Sequence, residues 1–254
     1  MEKTERQHSI MDALKSKSVM TVKELAGYLL VSEMTIRRDL YALEQNDDVE
    51  MFYGGVHLKS PAYPKLRYAI EEELGERTQQ KRRIAKKAAS LIEPNDVILI
   101  DTGSTTSLIV DYLPSDRNHI VYCYALNIIN SVCEKNLRVV ACGGFFHSNT
   151  RMFESSEGAA QIQSAHVNKA FMAARGITEE AGITTAEPYE IEVKKASLSA
   201  SEQRILLADS SKFGKVWYAK YADVTDINVI ITDDELQDRY KDMIVSKGIT
   251  LYMV

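Results

Sequence analysis

Apolar side chains recur at helical spacing in three short segments within the first 45 residues. In TERQHSIMDALKS (4–16), Ile10 and Leu14 share a face, and Thr4 with Gln7 has the spacing of a capping box. TVKELAGYL (21–29) repeats the device with Thr21 and Glu24 and gathers Val22, Leu25, Ala26 and Leu29. In SEMTIRRDLYALEQ (32–45), Ser32 is placed to cap a helix whose apolar stripe is Ile36, Leu40 and Leu43. The connector LLV leaves room only for a tight turn. NDDVEMFYGGVHL (46–58) then has two extended runs about a Gly-Gly pair, the pattern of a hairpin. The expected organisation is a first domain over 1–57, a linker over 58–74 marked by Pro61 and Pro64, and a second domain over 75–254.

The pattern changes in the second part. A charged helical stretch, EEELGERTQQKRRIAKKAASLIE, buries Ile84, Ala88, Leu91 and Ile92 in its later half. From Asn95 onward, seven strand-like runs follow: VILID, IVYCY, LRVVAC, KAFMAA, RILLAD, INVIIT and ITLYMV. Helical patterns separate most of them, notably TTSLIVDYL, LNIINSVCEK, PYEIEVKKASLSA and DELQDRYKDMIVSK. Such alternation predicts a mostly parallel sheet covered on both faces.

Composition narrows the function classes. With 45% hydrophobic and 26% charged residues the chain reads as an ordinary soluble protein. Its apolar runs are too short to cross a bilayer, and the polar start MEKTERQ is unlike a secretion signal. Cys123, Cys133 and Cys142 form no C-x-x-C pair and fit reduced thiols, so a cytoplasmic location is expected. His57, His119, His147 and His166 are scattered without metal-ligand spacing; neither a metal nor a cofactor is expected. A net charge of −5 does not announce a nucleic-acid partner. Residues 1–60 hold eight Lys/Arg against ten Asp/Glu, so any DNA-binding role depends on where the positive charges sit.

They sit together. Two short helices, a tight turn and a third helix form a helix-turn-helix, and the hairpin makes it a winged one. If Ile36, Leu40 and Leu43 face inward, then Glu33, Met34, Thr35, Arg37 and Arg38 face outward near the end that enters a major groove in such motifs. Arginine suits bidentate contact with guanine or pairing with phosphate. Ser32, Thr35 and Tyr41 add groups able to meet DNA. An oligomerisation module with solvated arginines has the same helix spacing.

In the second domain, VILIDTGSTTSLIVDYL is a buried strand, a hydroxyl-rich loop and a helix. Gly103, Ser104, Thr105 and Thr106 are candidates to hold an anion through backbone N–H groups and hydroxyls. Other pieces recur at strand ends, where a shared site forms in such folds: LN after CYA, CGG, RG at 175–176 and DSSKFGK. Lys212 and Lys215 there offer positive charge. Asp101 and Glu192 are the carboxylates expected to accept hydrogen bonds from sugar hydroxyls. The plain alternatives are ordinary capping for the loop and solvated surface pairs for the charges.

The letters go further than the spacing. TVKELAGYL, VSEMTIRRDLYALE and YGG closely resemble the DNA-binding domain of the DeoR family of bacterial sugar-metabolism regulators, over about the first 56 residues. One departure stands out: the family's wing usually carries a basic residue before its glycines, and this one has Glu50 and no Lys or Arg. DTGSTT, LN, GG, AGITT, EIEVKKA and DSSKFGK resemble the family's sensor domain, over residues 75–254. The resemblance implies an α/β fold in which a winged helix-turn-helix is joined to a sensor similar to ribose-5-phosphate isomerase. It implies a phosphorylated sugar held by Gly103, Ser104, Thr105 and Thr106, with Asp101, Asn127, Gly143, Glu192, Lys194 and Lys212 lining the remainder. CYALN, CGGFFH and FGKV are most similar to the branch that regulates deoxyribose operons, which implies a pentose phosphate. The expected function is a transcriptional repressor of a sugar catabolic operon, homo-oligomeric, released from operator DNA by its effector. The alternative is a sugar-phosphate isomerase carrying a DNA-binding module.

Overall fold

Local chemistry sets the first elements. Thr21 and Glu24 cap each other's backbone N–H groups, at 3.0 and 2.7 Å, and start α2 (Val22–Leu29), which follows α1 (Lys3–Ser16). Ser32 accepts from the Thr35 N–H at 3.2 Å and starts α3 (Glu33–Gln45). Thr4 behaves differently from its expected capping role. Helix α1 begins one residue before it, and its carbonyl lies 2.9 Å from Nδ1 of His8 inside the helix. The turn between α2 and α3 closes through Leu30, which takes a left-handed φ of 53° with its side chain 91% exposed.

Residues 3–16, 20–46, 48–52, 55–58, 70–114 and 118–254 are described by this computed structural model. Two compact units divide the chain, Met1–Arg67 and Tyr68–Val254. In the first, β1 (Val49–Phe52) pairs antiparallel with β2 (Gly55–Leu58), and Met20 bridges to Val56 beside them. Ile10, Leu14, Leu25, Ile36, Leu40, Val49 and Val56 form one core beneath the three helices and the wing. Each such buried side chain is worth about 1.5–3 kcal/mol, enough to fix which face of α3 points outward.

The second unit opens with α4 (Ile70–Gly75), which overturns part of the expected linker. Residues 59–69 of that linker lie outside the described residues. Ile70 is buried against Ala186 and Trp217, so an apolar anchor rather than a spacer begins the unit. Then come α5 (Thr78–Ala89), β3 (Val97–Ile100), a 3₁₀ turn (Thr106–Leu108), α6 (Ile109–Tyr112), β4 (Ile120–Cys123), α7 (Leu126–Glu134) and β5 (Arg138–Ala141). A small hairpin, β6 (Phe145–His147) and β7 (Met152–Glu154), precedes α8 (Ser156–Gln163) and β8 (Val167–Ala173). Next are β9 (Gly176–Thr178), β10 (Gly182–Thr185), α9 (Glu190–Ser199), β11 (Ser201–Leu207) and β12 (Ala219–Ala222). The chain closes with β13 (Val229–Thr232), α10 (Asp238–Ser246) and β14 (Thr250–Met253).

Seven strands make one sheet in the order β14-β13-β11-β8-β3-β4-β5, with every neighbouring pair parallel. These are the seven runs that the sequence pattern predicts. Alternation within β3 serves both faces. Ile98 and Ile100 pack with Ile84, Ala88, Ile109 and Ile128, whereas Leu99 packs with Ala159, Ile162, Val193 and Ile244. Antiparallel β12-β10-β9 forms a separate small sheet. From β3 the chain builds outward through β4 and β5, then returns to β8 on the other side. That reversal leaves a crevice beyond the carboxyl ends of β3 and β8, where open parallel sheets place their ligands.

Candidate functional site

Two sites emerge, one in each unit. On α3, Ile36, Asp39, Leu40 and Leu43 are buried and Glu33, Met34, Arg37, Arg38 and Tyr41 are exposed. Ser32 is exposed and Thr35 half-buried, their hydroxyls 2.9 Å apart. Asp39 is only 2% exposed, and its carboxylate is held in a two-point ion pair by Arg6 of α1. That pairing matters for the neighbours. Because Arg6 satisfies Asp39, neither Arg37 nor Arg38 has an ion-pair partner among the described residues. The helix thus presents two uncompensated guanidinium groups at its first turns, suited to phosphate and guanine recognition.

The second site is a crevice at the carboxyl ends of β3, β8 and β11. Its walls include Thr102, Gly103, Ser104 and Thr105 after β3, Ala173 to Arg175 at and after β8, and Leu207, Ala208 and Lys212 at and after β11. Thr185, Glu190, Lys194 and Glu73 complete it. The cavity they enclose has a volume of about 30 Å³.

The loop after β3 is shaped from within. Thr106 donates to the carbonyls of Asp101 and Gly103 at 2.7 and 3.1 Å, so it braces the loop rather than facing the crevice. Gly103 is required by packing: a Cβ there would come within 2.7 Å of Ala173 Cβ. With Thr106 tied back, the N–H groups of Gly103, Ser104 and Thr105 have no acceptor among the described residues. They remain donors for an anion.

Beneath the loop lies a buried charge network. Lys194 is 1% exposed and donates to Asp101 at 2.5 Å, with Glu190 at 3.4 Å. Burial works against its ammonium, but Asp101 and Glu190 outweigh that and hold its pKa above the ordinary value. Glu190 is pushed the other way by burial, its pKa raised despite Lys194. Asp101 also accepts from the Tyr124 hydroxyl and, at 2.8 Å, from the Ala173 N–H. Both of its oxygens are engaged and it is fully buried, which corrects its expected role as an acceptor for sugar hydroxyls. Asp101 instead anchors β3 to β8 and α9.

Three further expected residues stand elsewhere. Glu192 is exposed on α9, two positions from the buried face; the carboxylate in the crevice is Glu190. A helix advances about 100° per residue, so Glu190, Val193, Lys194 and Ser197 share the inward face while Glu192 does not. Gly143 is exposed and does not line the crevice; its carbonyl accepts from Ser155 at 2.9 Å and packs beneath Gly158 of α8. Asn127 is in the first turn of α7, also outside the lining, with its amide oxygen buried and without a hydrogen-bond partner among the described residues.

Positive charge in the crevice comes from Lys212, as expected, and from Arg175, which sequence reasoning marked only within the dipeptide RG. Arg175 lies 4.6 Å from the Trp217 ring centroid and pairs with Glu73 at 2.6 Å. Lys212 reaches the other oxygen of Glu73 at 2.8 Å. Burial opposes the Glu73 carboxylate, but Arg175 and Lys212 bring its pKa down to about 2. Lys215 is exposed and does not take part.

Among the described residues no cluster of His, Cys, Asp and Glu is arranged to hold a metal ion, and no helix is long and apolar enough to cross a membrane. Residues 6–62 match the DeoR-like helix-turn-helix domain, and residues 76–234 match the DeoR C terminal sensor domain. The chain is 33% identical over 228 residues to HTH-type transcriptional regulator IolR of Bacillus subtilis (strain 168), covering 89% of each. It is 30% identical over 237 residues to the Deoxyribose operon repressor of Escherichia coli (strain K12), covering 93% of this chain and 92% of that one. Among solved structures, the full-length Sorbitol Operon Regulator SorC from Klebsiella pneumoniae matches over 96% of this chain and 99% of its own, at 13% identity and a TM-score of 0.42. Ribose 5 phosphate isomerase A from Neisseria gonorrhoeae matches over 52% of each chain, at 18% identity and a TM-score of 0.39. With both domain matches in their family order, the chain belongs to the DeoR family of DNA-binding transcriptional regulators.

Proposed function

We propose that this regulator represses a sugar catabolic operon and leaves its operator when a phosphorylated sugar enters the crevice. The observation that carries the reading is the crevice itself. Gly103, Ser104 and Thr105, whose N–H groups have no acceptor among the described residues, line the same space as the cations Arg175 and Lys212. That arrangement suits a phosphate group, while Thr185, Glu190 and the loop hydroxyls offer partners for sugar oxygens. A pentose phosphate is the first candidate, in keeping with the 30% identity to the Deoxyribose operon repressor.

Operator binding is assigned to Ser32, Glu33, Thr35, Arg37, Arg38 and Tyr41 on and beside α3. A single winged module offers too little surface for typical specific affinity, so the reading includes a homo-oligomer acting on paired half-sites. The test uses the full chain and a panel of pentose and hexose phosphates. A ligand at a hundred times its Kd raises stability by about 2.7 kcal/mol, visible as a higher Tm. Lys212→Ala and Arg175→Ala are expected to abolish that rise for the cognate sugar. A Tm indifferent to every compound would remove the effector from the account.

One observation favours the isomerase alternative: Glu190, its pKa raised by burial, lies 3.4 Å from Lys194 at the crevice wall. Such a pair has the make-up of a general acid and base. Turnover of ribose 5-phosphate above background, lost in Glu190→Gln, is the result that would favour it.

A further inference from the structure

Three cations converge on one carboxylate in the sensor unit. Glu73 of α4 receives Arg175 Nη1 at 2.6 Å and Lys212 Nζ at 2.8 Å, with Lys81 Nζ 3.9 Å away. Lys81 is 1% exposed and also donates to the Glu73 backbone carbonyl at 2.5 Å. Asp209, which also acts on Lys81, lies 3.2 Å from Arg77, which in turn faces Asp233 at 3.3 Å and Glu235 at 2.9 Å. Three cations thus meet at the Glu73 carboxylate in a poorly solvated place. A phosphate monoester, carrying about −1.5 to −2 at neutral pH, matches them better than a carboxylate does.

Space gives a second and independent sign. A ligand pocket for a small molecule usually offers about 300–1,000 Å³. Here the cavity volume is only about 30 Å³, and Glu73 is one of the lining residues. The remaining walls are strand ends, the loops after β3, β8 and β11, Thr185 of β10 and buried α9 residues. Glu73 alone comes from a six-residue helix, and Leu74, Gly75 and Glu76 beyond it are exposed.

We propose that Glu73 is a built-in stand-in for the effector's phosphate, and that the effector binds by taking Arg175 and Lys212 from it and expelling that end of α4. This rests on the reading of the crevice as a phosphate site. Helix α4 follows residues 59–69 in the chain, so the exchange acts on the segment next to the connection between the two units. A ligand group entering the crevice thereby changes the state of a helix that faces the DNA-binding part in sequence. Ligand affinity and α4 docking are then coupled reciprocally.

The test uses the full chain with two probes, inorganic phosphate and ribose 5-phosphate, followed by calorimetry and by amide hydrogen exchange. In the unaltered chain, anion binding is expected to speed exchange across residues 73–76. Glu73→Gln, which removes the charge but keeps the shape, is expected to bind inorganic phosphate roughly tenfold more tightly. That factor corresponds to a site closed by its own carboxylate about nine-tenths of the time. Both readouts must move. Binding with unchanged exchange at 73–76, or with equal affinity in Glu73→Gln, overturns the swap and leaves the phosphate reading intact. Absence of binding of either probe to either protein overturns both. Should Glu73→Gln not fold, exchange in the unaltered chain decides by itself.

Discussion

An ammonium group as deeply buried as that of Lys194 persists because two carboxylates face it. Removing it in Lys194→Met leaves both Asp101 and Glu190 without their cation. Breaking such a pair typically costs about 3–5 kcal/mol, a large share of the roughly 5–15 kcal/mol that holds a domain folded. Urea unfolding is expected to show that loss; a change below about 1 kcal/mol would mean the network contributes little. Glu73 adds a pH signature. Its pKa falls from an ordinary 4.5 to about 2 in the folded chain. Its stabilising contribution is therefore full above pH 4.5 and is lost as pH falls from there towards 2. Tm measured between pH 6 and 2.5 is expected to fall less steeply in Glu73→Gln than in the unaltered chain. At the same scale, legibility followed chain distance. Lys194 and Lys212 were named from their motifs. Glu73 was one of three consecutive glutamates, and nothing local says that it meets a lysine 139 residues further on. The motif EIEVKKA points to Glu192, whereas the helix face that carries Lys194 inward carries Glu190.

At the scale of elements, α3 and its cap were legible because Ser32 and the Ile36-Leu40-Leu43 stripe are local signals. The same holds for the seven strands of the main sheet, whose apolar runs are long enough to declare burial on both faces. The small antiparallel strands were not. GIT and GITT in β9 and β10 are short and have no polar alternation, since almost every residue is buried. Helix α4 falls within the helical stretch expected from Glu71 onward, but its anchor, Ile70, finds Ala186 and Trp217 only in the folded chain. The turn between α2 and α3 yields a prediction of its own. Leu30 is held at φ 53° with a side chain that buries almost nothing, so strain is not offset by packing. Left-handed backbone costs an ordinary L-residue about 1–2 kcal/mol. Glycine carries no such penalty but adds freedom to the unfolded chain. Leu30→Gly is expected to stabilise the chain by roughly 0.5–1 kcal/mol in chemical denaturation. A loss of stability would show that the exposed leucine has a packing role.

For the whole molecule, the family's two domains supply separate chemistries that repression requires to be coupled. The DNA side depends on Arg37 and Arg38, which no carboxylate among the described residues pairs with, Asp39 being held by Arg6. Replacing both with alanine is expected to leave stability within about 0.5 kcal/mol, as for exposed positions generally. The same change is expected to weaken DNA binding and flatten its dependence on salt, since phosphate contacts release counterions. The sensor side depends on whether an anion in the crevice alters that binding. The most direct measurement is a titration of the full chain onto DNA from upstream of its own gene, across a salt series, with and without each pentose and hexose phosphate. Salt-sensitive binding that one sugar phosphate abolishes is expected, together with weaker binding of that sugar when DNA is present. Specific DNA binding that no sugar phosphate changes, at concentrations where one of them is bound, would contradict it.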